Sequence, residues 1–196
     1  MTRTLEAARP EDVGLSSAGL DGVDAGLQTM IDAGELAGAV TLVARHGKVA
    51  RRSVLGLNNI AARTPLQEDT IFRIFSMTKP VTAVAMMILH DEGRWRPEDP
   101  IATHLPVFKD VTVFEAPGKS AAPKHAPTMR ELMTHTAGLS YGGSPESFDQ
   151  PLKDARIWHA PNLGEFAARI AAAPLAYQPG EKWLYSLSMD VQGAII

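Results

Sequence analysis

A serine and a lysine three residues apart, in the segment Ser76-Met-Thr-Lys79, could supply a nucleophile and its base. Residues three apart lie on the same face of a helix, so the lysine amine can reach the serine hydroxyl. A serine hydroxyl needs such a base to become nucleophilic. A lysine amine acts as that base only when burial or the positive end of a helix dipole lowers its pKa. The pattern predicts an activated Ser76, with a capping serine and a solvated lysine as the alternative.

A tyrosine in the segment Pro179-Gly-Glu-Lys-Trp-Leu-Tyr185-Ser186 is a candidate proton relay for this pair. The dipeptide Pro179-Gly180 marks a turn, and a helical pattern follows the segment. A phenol beside a lysine ammonium has a lowered pKa, so Tyr185 could carry protons to and from Ser76. The alternative is an aromatic core residue whose hydroxyl is bonded to the backbone.

Other kinds of catalytic site are not indicated. The six histidines are scattered, without the spacing of a zinc site, so no metal is expected. Among them, His135 is expected to be a structural residue within a helix. No phosphate-binding glycine loop and no G-x-S-x-G elbow occurs, so neither a nucleotide cofactor nor an ordinary Ser-His-Asp hydrolase is expected. The chain has no cysteine, which excludes thiolate catalysis and disulfides.

The elements around Ser76 are predicted to present its hydroxyl where a strand meets a helix. Thr70–Ile74 is a short strand candidate, and an apolar helical pattern runs from Ser76 to Glu92, with Gly93 as its stop. Pro80 falls within about one turn of the start, where a missing N–H costs little.

An α/β arrangement is predicted before that helix. Ser16 or Ser17 can cap an earlier helix that Gly34 ends. The segments Ala39–Arg45 and Lys48–Leu55 have the pattern of a β-hairpin.

The rest of the chain is predicted to be mainly helical beyond a loop. Residues 97–127 contain frequent prolines and little periodicity, which favours mostly loop. The segment Thr128-Met-Arg-Glu131 has the pattern of a capping box for a helix expected to end at Gly138. Asn162 is the predicted cap of another helix, which Pro174 closes.

Composition and charge limit the class of protein. The chain has 196 residues, 45% of them apolar and 21% charged, with a net charge of -3. These values are typical of a globular protein and give no broad electrostatic case for binding nucleic acid. The longest apolar stretch, Val81–Leu89, is far short of the roughly 20 residues of a membrane span. The N-terminus lacks the apolar core of a secretory signal. We expect a soluble, cytoplasmic protein without nucleic-acid or membrane partners.

Three motifs in this order resemble the serine β-lactamase-like proteins, more narrowly the class C β-lactamase and family VIII carboxylesterase group. They are Phe72–Lys79, Glu131–Leu139 and Pro179–Ser186. The hairpin Val40–Leu55 and the segment Asp99–Leu105 fit the same pattern. The resemblance spans nearly the whole chain.

The resemblance implies an α/β plus all-α, β-lactamase/penicillin-binding-protein-like fold. Residues 1–95 would form the N-terminal part of the α/β domain and carry the nucleophile helix, and residues 96–196 would form the helical domain. The apolar helical pattern after Leu187 has no stop signal before Ile196. We therefore expect a truncated helical domain and a fold that lacks its C-terminal strands.

The resemblance also implies the roles of the three candidate residues. Ser76 would form the acyl-enzyme, Lys79 and Tyr185 would be the base pair that activates it, and backbone N–H groups, one from Ser76, would hold the oxyanion. Leu187 stands where β-lactamases have the asparagine of a Tyr-x-Asn motif, which suits a simple ester better than an amide. The family's late strand with a Lys-Thr-Gly-like triad is not present in residues 1–196.

The function expected from the sequence is therefore a serine carboxylesterase that acts on small esters without a cofactor or a metal. The alternatives are a β-lactamase or D-amino-acid peptidase, a penicillin-binding-like module without turnover, and an inactive fragment. The expected partners are a small-molecule ester substrate and a C-terminal companion chain or a second copy of the chain.

Overall fold

The computed structural model describes residues 5–196. The chain forms two compact units that divide between Arg73 and Ile74. The boundary predicted after residue 95 lies inside the second unit, because the helix Thr78–Asp91 packs against the last helix, Ser188–Ile195. The helix that carries the candidate nucleophile therefore belongs to the same compact unit as the later helices.

The first unit is a β-hairpin with a helix packed on it. Its elements are β1 (Glu6–Ala7), α1 (Ser17–Asp32), β2 (Gly38–Arg45), β3 (Lys48–Asn59) and β4 (Thr64–Pro65). Strands β2 and β3 are antiparallel, which confirms the predicted hairpin, and β1 pairs in parallel with β3. Ser16 caps α1 by accepting a hydrogen bond from the Gly19 N–H at 3.2 Å, as one of the two predicted capping residues.

The predicted strand Thr70–Ile74 is wrong. These residues have no regular secondary structure and lead into the next helix. Ile71 and Phe72 are exposed, at 96% and 48%, and no strand of the described residues pairs with them. A short run of alternating apolar residues forms a strand only where a partner strand supplies its hydrogen bonds.

The second unit is mainly helical. Its elements are α2 (Thr78–Asp91), α3 (Ile101–His104), β5 (Val113–Ala116), β6 (Lys119–Ala121), α4 (Met129–Met133), α5 (Gln150–Asp154), α6 (Leu163–Ala172) and α7 (Ser188–Ile195). Helices α2, α4 and α6 all pack against α7. The short hairpin β5–β6 lies in the segment that the prolines marked as loop. The largest buried core side chains are those of Phe108, Met86, Ile101, Met129, Leu132, Ile157, Ile170 and Leu175.

Capping residues begin two of these helices, as predicted. Thr128 and Glu131 form the capping box of α4: the Thr128 hydroxyl accepts from the Glu131 N–H at 3.3 Å, and the Glu131 carboxylate accepts from the Thr128 N–H at 2.8 Å. The Asn162 side chain accepts from the Glu165 N–H at 2.9 Å at the start of α6. Each cap satisfies a backbone donor that has no partner within the helix.

Helix α4 is shorter than predicted. It ends at Met133, not at Gly138. The reason is His135, whose φ of 59° is left-handed and cannot continue a right-handed helix. The prediction that His135 lies within a helix is therefore wrong.

One face of α2 is apolar and exposed. Met77, just before the helix, is 70% exposed, and Val81, Val84 and Ile88 along the helix are 65%, 59% and 55% exposed. Their spacing of three to four residues places them on one face. Within the described part of the chain, no helix combines the length and the hydropathy that a membrane span requires.

The capping box of α4 should contribute to stability. We expect Thr128→Ala to lower the free energy of unfolding by about 1 kcal/mol, because α4 loses its side-chain cap. The matched control is Thr103→Ala, at an exposed position of α3, which we expect to change the free energy by less than about 0.5 kcal/mol. Urea denaturation followed by circular dichroism measures both, and equal losses would contradict the capping role.

Candidate active site

Ser76 lies at the start of the helix that presents it. It sits in a single 3-10 turn, Phe75–Met77, that continues directly into α2. Phe75 has a φ of 47°, a left-handed conformation that concentrates at functional sites when a non-glycine residue adopts it. The first N–H groups of a helix have no partner within it, so this end of α2 is suited to receive a developing negative charge.

The three residues predicted from the sequence are brought together. The Tyr185 hydroxyl oxygen is 2.6 Å from Ser76 Oγ, and Lys79 Nζ donates to Ser76 Oγ at 3.3 Å. Lys79 Nζ is also 4.7 Å from the centre of the Tyr185 ring. The Tyr185 hydroxyl thus faces a side chain, in contrast to the alternative of a core tyrosine bonded to the backbone.

Tyr185 is held in place by pairing between two segments of the second unit, residues 135–140 and 180–187. The N–H groups of Gly180, Leu184 and Leu187 donate to the carbonyl groups of Thr136, His135 and Ser140, at 2.8, 3.0 and 3.2 Å respectively. Because these bonds lie on both sides of Tyr185, they fix its backbone and therefore the point from which its side chain extends.

The Tyr185 ring stacks on two other rings. Its centre is 5.3 Å from that of His135, with the planes 22° apart, and 5.7 Å from that of Tyr141, with the planes 18° apart. Trp158 packs in turn on Tyr141 at 5.9 Å. Stacked rings restrict the side-chain rotation of Tyr185 and keep its hydroxyl directed at Ser76.

Three groups of the site have pKa values shifted by hydrogen bonding or by burial. Hydrogen bonding to the Lys79 amine and to Ser76 lowers the pKa of the Tyr185 phenol from its ordinary value of 10.0. Burial, with a smaller effect of the Lys79 charge, lowers the pKa of His135. Burial raises the pKa of the Asp190 carboxyl. The lowered pKa of Tyr185 favours the phenolate, which is the form that can take a proton from Ser76.

A cleft of about 420 Å³ opens beside the Ser76 hydroxyl. Its lining residues are Phe75, Ser76, Thr78, Lys79, Thr82, Tyr141, Leu163, Met189, Asp190 and Gly193. Two of these residues, Tyr141 and Asp190, are not among those predicted from the sequence. Tyr141 lies just beyond the Glu131–Leu139 motif, and Asp190 lies in the first turn of α7, where an acidic residue is ordinary. The sequence around these two residues contains no motif that would indicate a role in the site.

Leu187 does not line this cleft. Its side chain is fully buried in the core of the second unit. Among residues 5–196, no group of three His, Asp or Glu side chains could hold a metal ion.

This arrangement agrees with a known family. The model of the family described as Beta-lactamase matches residues 23–196. The chain belongs to the Beta-lactamase family. The resemblance seen in the three sequence motifs is confirmed, and so is the β-lactamase/penicillin-binding-protein-like fold.

Proteins similar in sequence to this chain include some that are about twice as long. Protein Rv1367c of Mycobacterium tuberculosis is 39% identical over 90% of this chain and 45% of its own length. Esterase EstB of Burkholderia gladioli is 36% identical over 82% of this chain and 40% of its own length. The solved structure of EstCE1, a hydrolase with promiscuous acyltransferase activity, superposes with a TM-score of 0.79 and 29% identity, over 90% of this chain and 45% of EstCE1. The chain thus spans less than half the length of each.

The lowered pKa of Tyr185 should depend on the charge of Lys79. A positive charge stabilises the phenolate, so we expect Lys79→Met to raise the pKa of Tyr185. Ultraviolet titration of phenolate absorbance measures it, with Tyr185→Phe identifying the step that belongs to this residue. The matched control is Lys182→Met, which removes an ammonium 4.4 Å from the Tyr177 ring and should leave the Tyr185 step in place. An unchanged Tyr185 step in Lys79→Met would contradict the assignment.

Proposed function

We propose that this chain contributes the catalytic centre of a serine hydrolase that cleaves small carboxylic esters through an acyl-serine intermediate. The observation that carries the proposal is the position of Ser76 Oγ, 2.6 Å from the Tyr185 hydroxyl and 3.3 Å from Lys79 Nζ. A serine within hydrogen-bond range of a phenol and an amine has the partners that removal and return of its proton require.

In the acylation step, Ser76 Oγ attacks the ester carbonyl carbon while its proton moves to the Tyr185 phenolate. The bond from the carbonyl carbon to the alkoxide oxygen then breaks, and Tyr185 returns the proton to that oxygen. The products of this step are an alcohol and acyl-Ser76. The positive charge of Lys79 stabilises the phenolate before attack, and the backbone N–H of Ser76 stabilises the oxyanion.

In the deacylation step, a water molecule attacks the acyl carbon and gives one proton to Tyr185. The bond from the acyl carbon to Ser76 Oγ breaks, and Ser76 takes that proton back. A carboxylic acid leaves, and the resting state is restored. The same pair of residues therefore acts as base and as acid in both steps.

The comparisons support an ester as substrate, because EstB is named an esterase and EstCE1 a hydrolase with promiscuous acyltransferase activity. The resemblance seen in the sequence favours the same choice, because Leu187 stands where β-lactamases have the asparagine of a Tyr-x-Asn motif. A β-lactamase or D-amino-acid peptidase remains the second candidate.

The proposal includes a second polypeptide segment that covers the exposed face of α2. Val81, Val84 and Ile88 leave a stripe of apolar surface on the helix that begins beside the nucleophile. Since the relatives are about twice as long, a later segment of the fold, joined or separate, would bury this stripe. The same segment would supply the second oxyanion N–H, whose loss costs about 10²–10³ in rate.

The nucleophile can be tested by covalent labelling. We expect a fluorophosphonate probe to add once to the chain, at Ser76, because this hydroxyl lies beside the cleft and within hydrogen-bond range of both Tyr185 and Lys79. Ser76→Ala should abolish both the adduct and ester hydrolysis, and Tyr185→Phe should slow hydrolysis by about 10²–10⁴. Intact-mass and peptide-mass spectrometry locate the adduct, and Ser120→Ala, an exposed serine on β6, is the control.

Two outcomes of this experiment would contradict the proposals separately. Retention of ester hydrolysis by Ser76→Ala would refute the catalytic assignment. A native mass spectrum tests whether a separate segment completes the site, in which case we expect the labelled chain in a complex with a second polypeptide. Labelling and ester turnover by a single chain, at 21.1 kDa plus the mass of one probe, would refute the need for a further segment, joined or separate. A labelled pair of identical chains would replace it with a second copy.

Substrate choice is tested with two chromogenic compounds. We expect turnover of a short p-nitrophenyl ester to exceed that of nitrocefin in kcat/KM, because a relative is named an esterase and the chain lacks the asparagine of the Tyr-x-Asn motif. The reverse order would favour the lactamase candidate. A single stoichiometric burst with neither compound turned over would favour a penicillin-binding-like module.

A further inference from the structure

His135 is in contact with the chain on both sides of Tyr185. Its carbonyl accepts a hydrogen bond from the Leu184 N–H at 3.0 Å. Its ring nitrogen Nδ1 is 3.0 Å from the Ser186 hydroxyl and accepts from the Ser186 N–H at 3.3 Å. The face of the same ring stacks on Tyr185 at 5.3 Å. One side chain thus holds Tyr185 and both of its neighbours.

These contacts require one protonation state of the imidazole. A backbone N–H can only donate, so Nδ1 must accept, and the proton of the neutral ring is on Nε2. A second proton on Nδ1 would oppose the Ser186 N–H. The lowered pKa of His135, caused by burial and by Lys79, keeps the ring neutral. Tyr185, Tyr141 and Asp190 are further ionisable groups of this site.

We infer that His135 is a positioning residue for Tyr185: it holds the phenol hydroxyl within hydrogen-bond range of Ser76 and near the Lys79 amine. The inference rests on the proposed function and assigns His135 no proton transfer to substrate. Its left-handed backbone serves the same end, because the chain turns at His135 and then runs beside residues 180–187. A left-handed non-glycine residue is held by its surroundings.

The variant His135→Gly removes the ring without straining the backbone, because glycine adopts a positive φ freely. We expect kcat for ester hydrolysis to fall about 10²-fold, as for a reacting group displaced by about 1 Å, with KM changed much less. The Tyr185 pKa should rise towards 10.0 as the phenol moves away from Lys79 and Ser76. His135→Asn, which tolerates the left-handed conformation and retains an acceptor, should recover at least about ten-fold in kcat over the glycine variant.

The matched control is Arg156→Gly. Arg156 is exposed, lies in the same unit and also has a left-handed φ, of 49°. We expect it to leave kcat and the Tyr185 pKa unchanged. A glycine variant of His135 that retains both values would overturn the inference, and so would an asparagine variant no better than glycine. If His135→Gly does not fold, the test rests on His135→Asn. A Tyr185 pKa and a kcat close to the wild-type values in this variant would support the role of the hydrogen-bond acceptor at residue 135. A ten-fold or greater loss of kcat would overturn the inference.

Failure of the inference can be separated from failure of the proposed function. Absence of both ester turnover and a fluorophosphonate adduct in the unmodified protein would contradict the function. The ultraviolet titration of Tyr185 needs no turnover, so it still tests His135 in that case. An unchanged Tyr185 step in His135→Gly would then overturn the inference by itself.

Discussion

The hydrogen bond between Ser76 Oγ and the Tyr185 hydroxyl, 2.6 Å long, joins residues 109 positions apart, and the candidate site depends on it. Bringing such distant residues together costs loop-closure entropy that one polar contact cannot offset. The packing of α2, α4 and α6 on α7 and the backbone pairing of residues 135–140 with 180–187 offset it instead. The polar contact is thus a consequence of the packing of the helical core. Changes in that core should alter the distance between Ser76 and Tyr185.

The site combines a charged amine with aromatic surfaces. Lys79 Nζ lies 4.7 Å from the centre of the Tyr185 ring and 5.9 Å from that of Tyr141. Rings attract a cation with their faces while excluding water from it. The amine is therefore held beside the Tyr185 phenol, where its positive charge favours the phenolate. His135 also stacks on the Tyr185 ring, and in its neutral form it adds no charge.

The nucleophile helix α2 has two unlike sides. Met86 faces the core and is fully buried, whereas the side with Val84 and Ile88 is exposed. Burial of such side chains stabilises a protein by about 1.5–3 kcal/mol each, so a family member twice as long has a strong physical reason to cover this stripe. The stability of α2 and the completeness of the site would then come from the same contact.

The sequence by itself determined the features that depend on neighbouring residues: the Ser76 and Lys79 pair one helical turn apart, the caps at Ser16, Thr128 and Asn162, the hairpin around residue 46 and the motifs of the family. Tertiary structure decided the rest. Tyr185 was a candidate by motif alone, and only chain pairing brought its hydroxyl to Ser76. The strand predicted at Thr70–Ile74 lacked a partner, and the left-handed turn at His135 ended α4 early. The spacing of residues in the sequence predicts hydrogen bonds and contacts within one helical turn or one tight turn. Contacts between distant segments depend on tertiary packing, which a short sequence pattern does not specify.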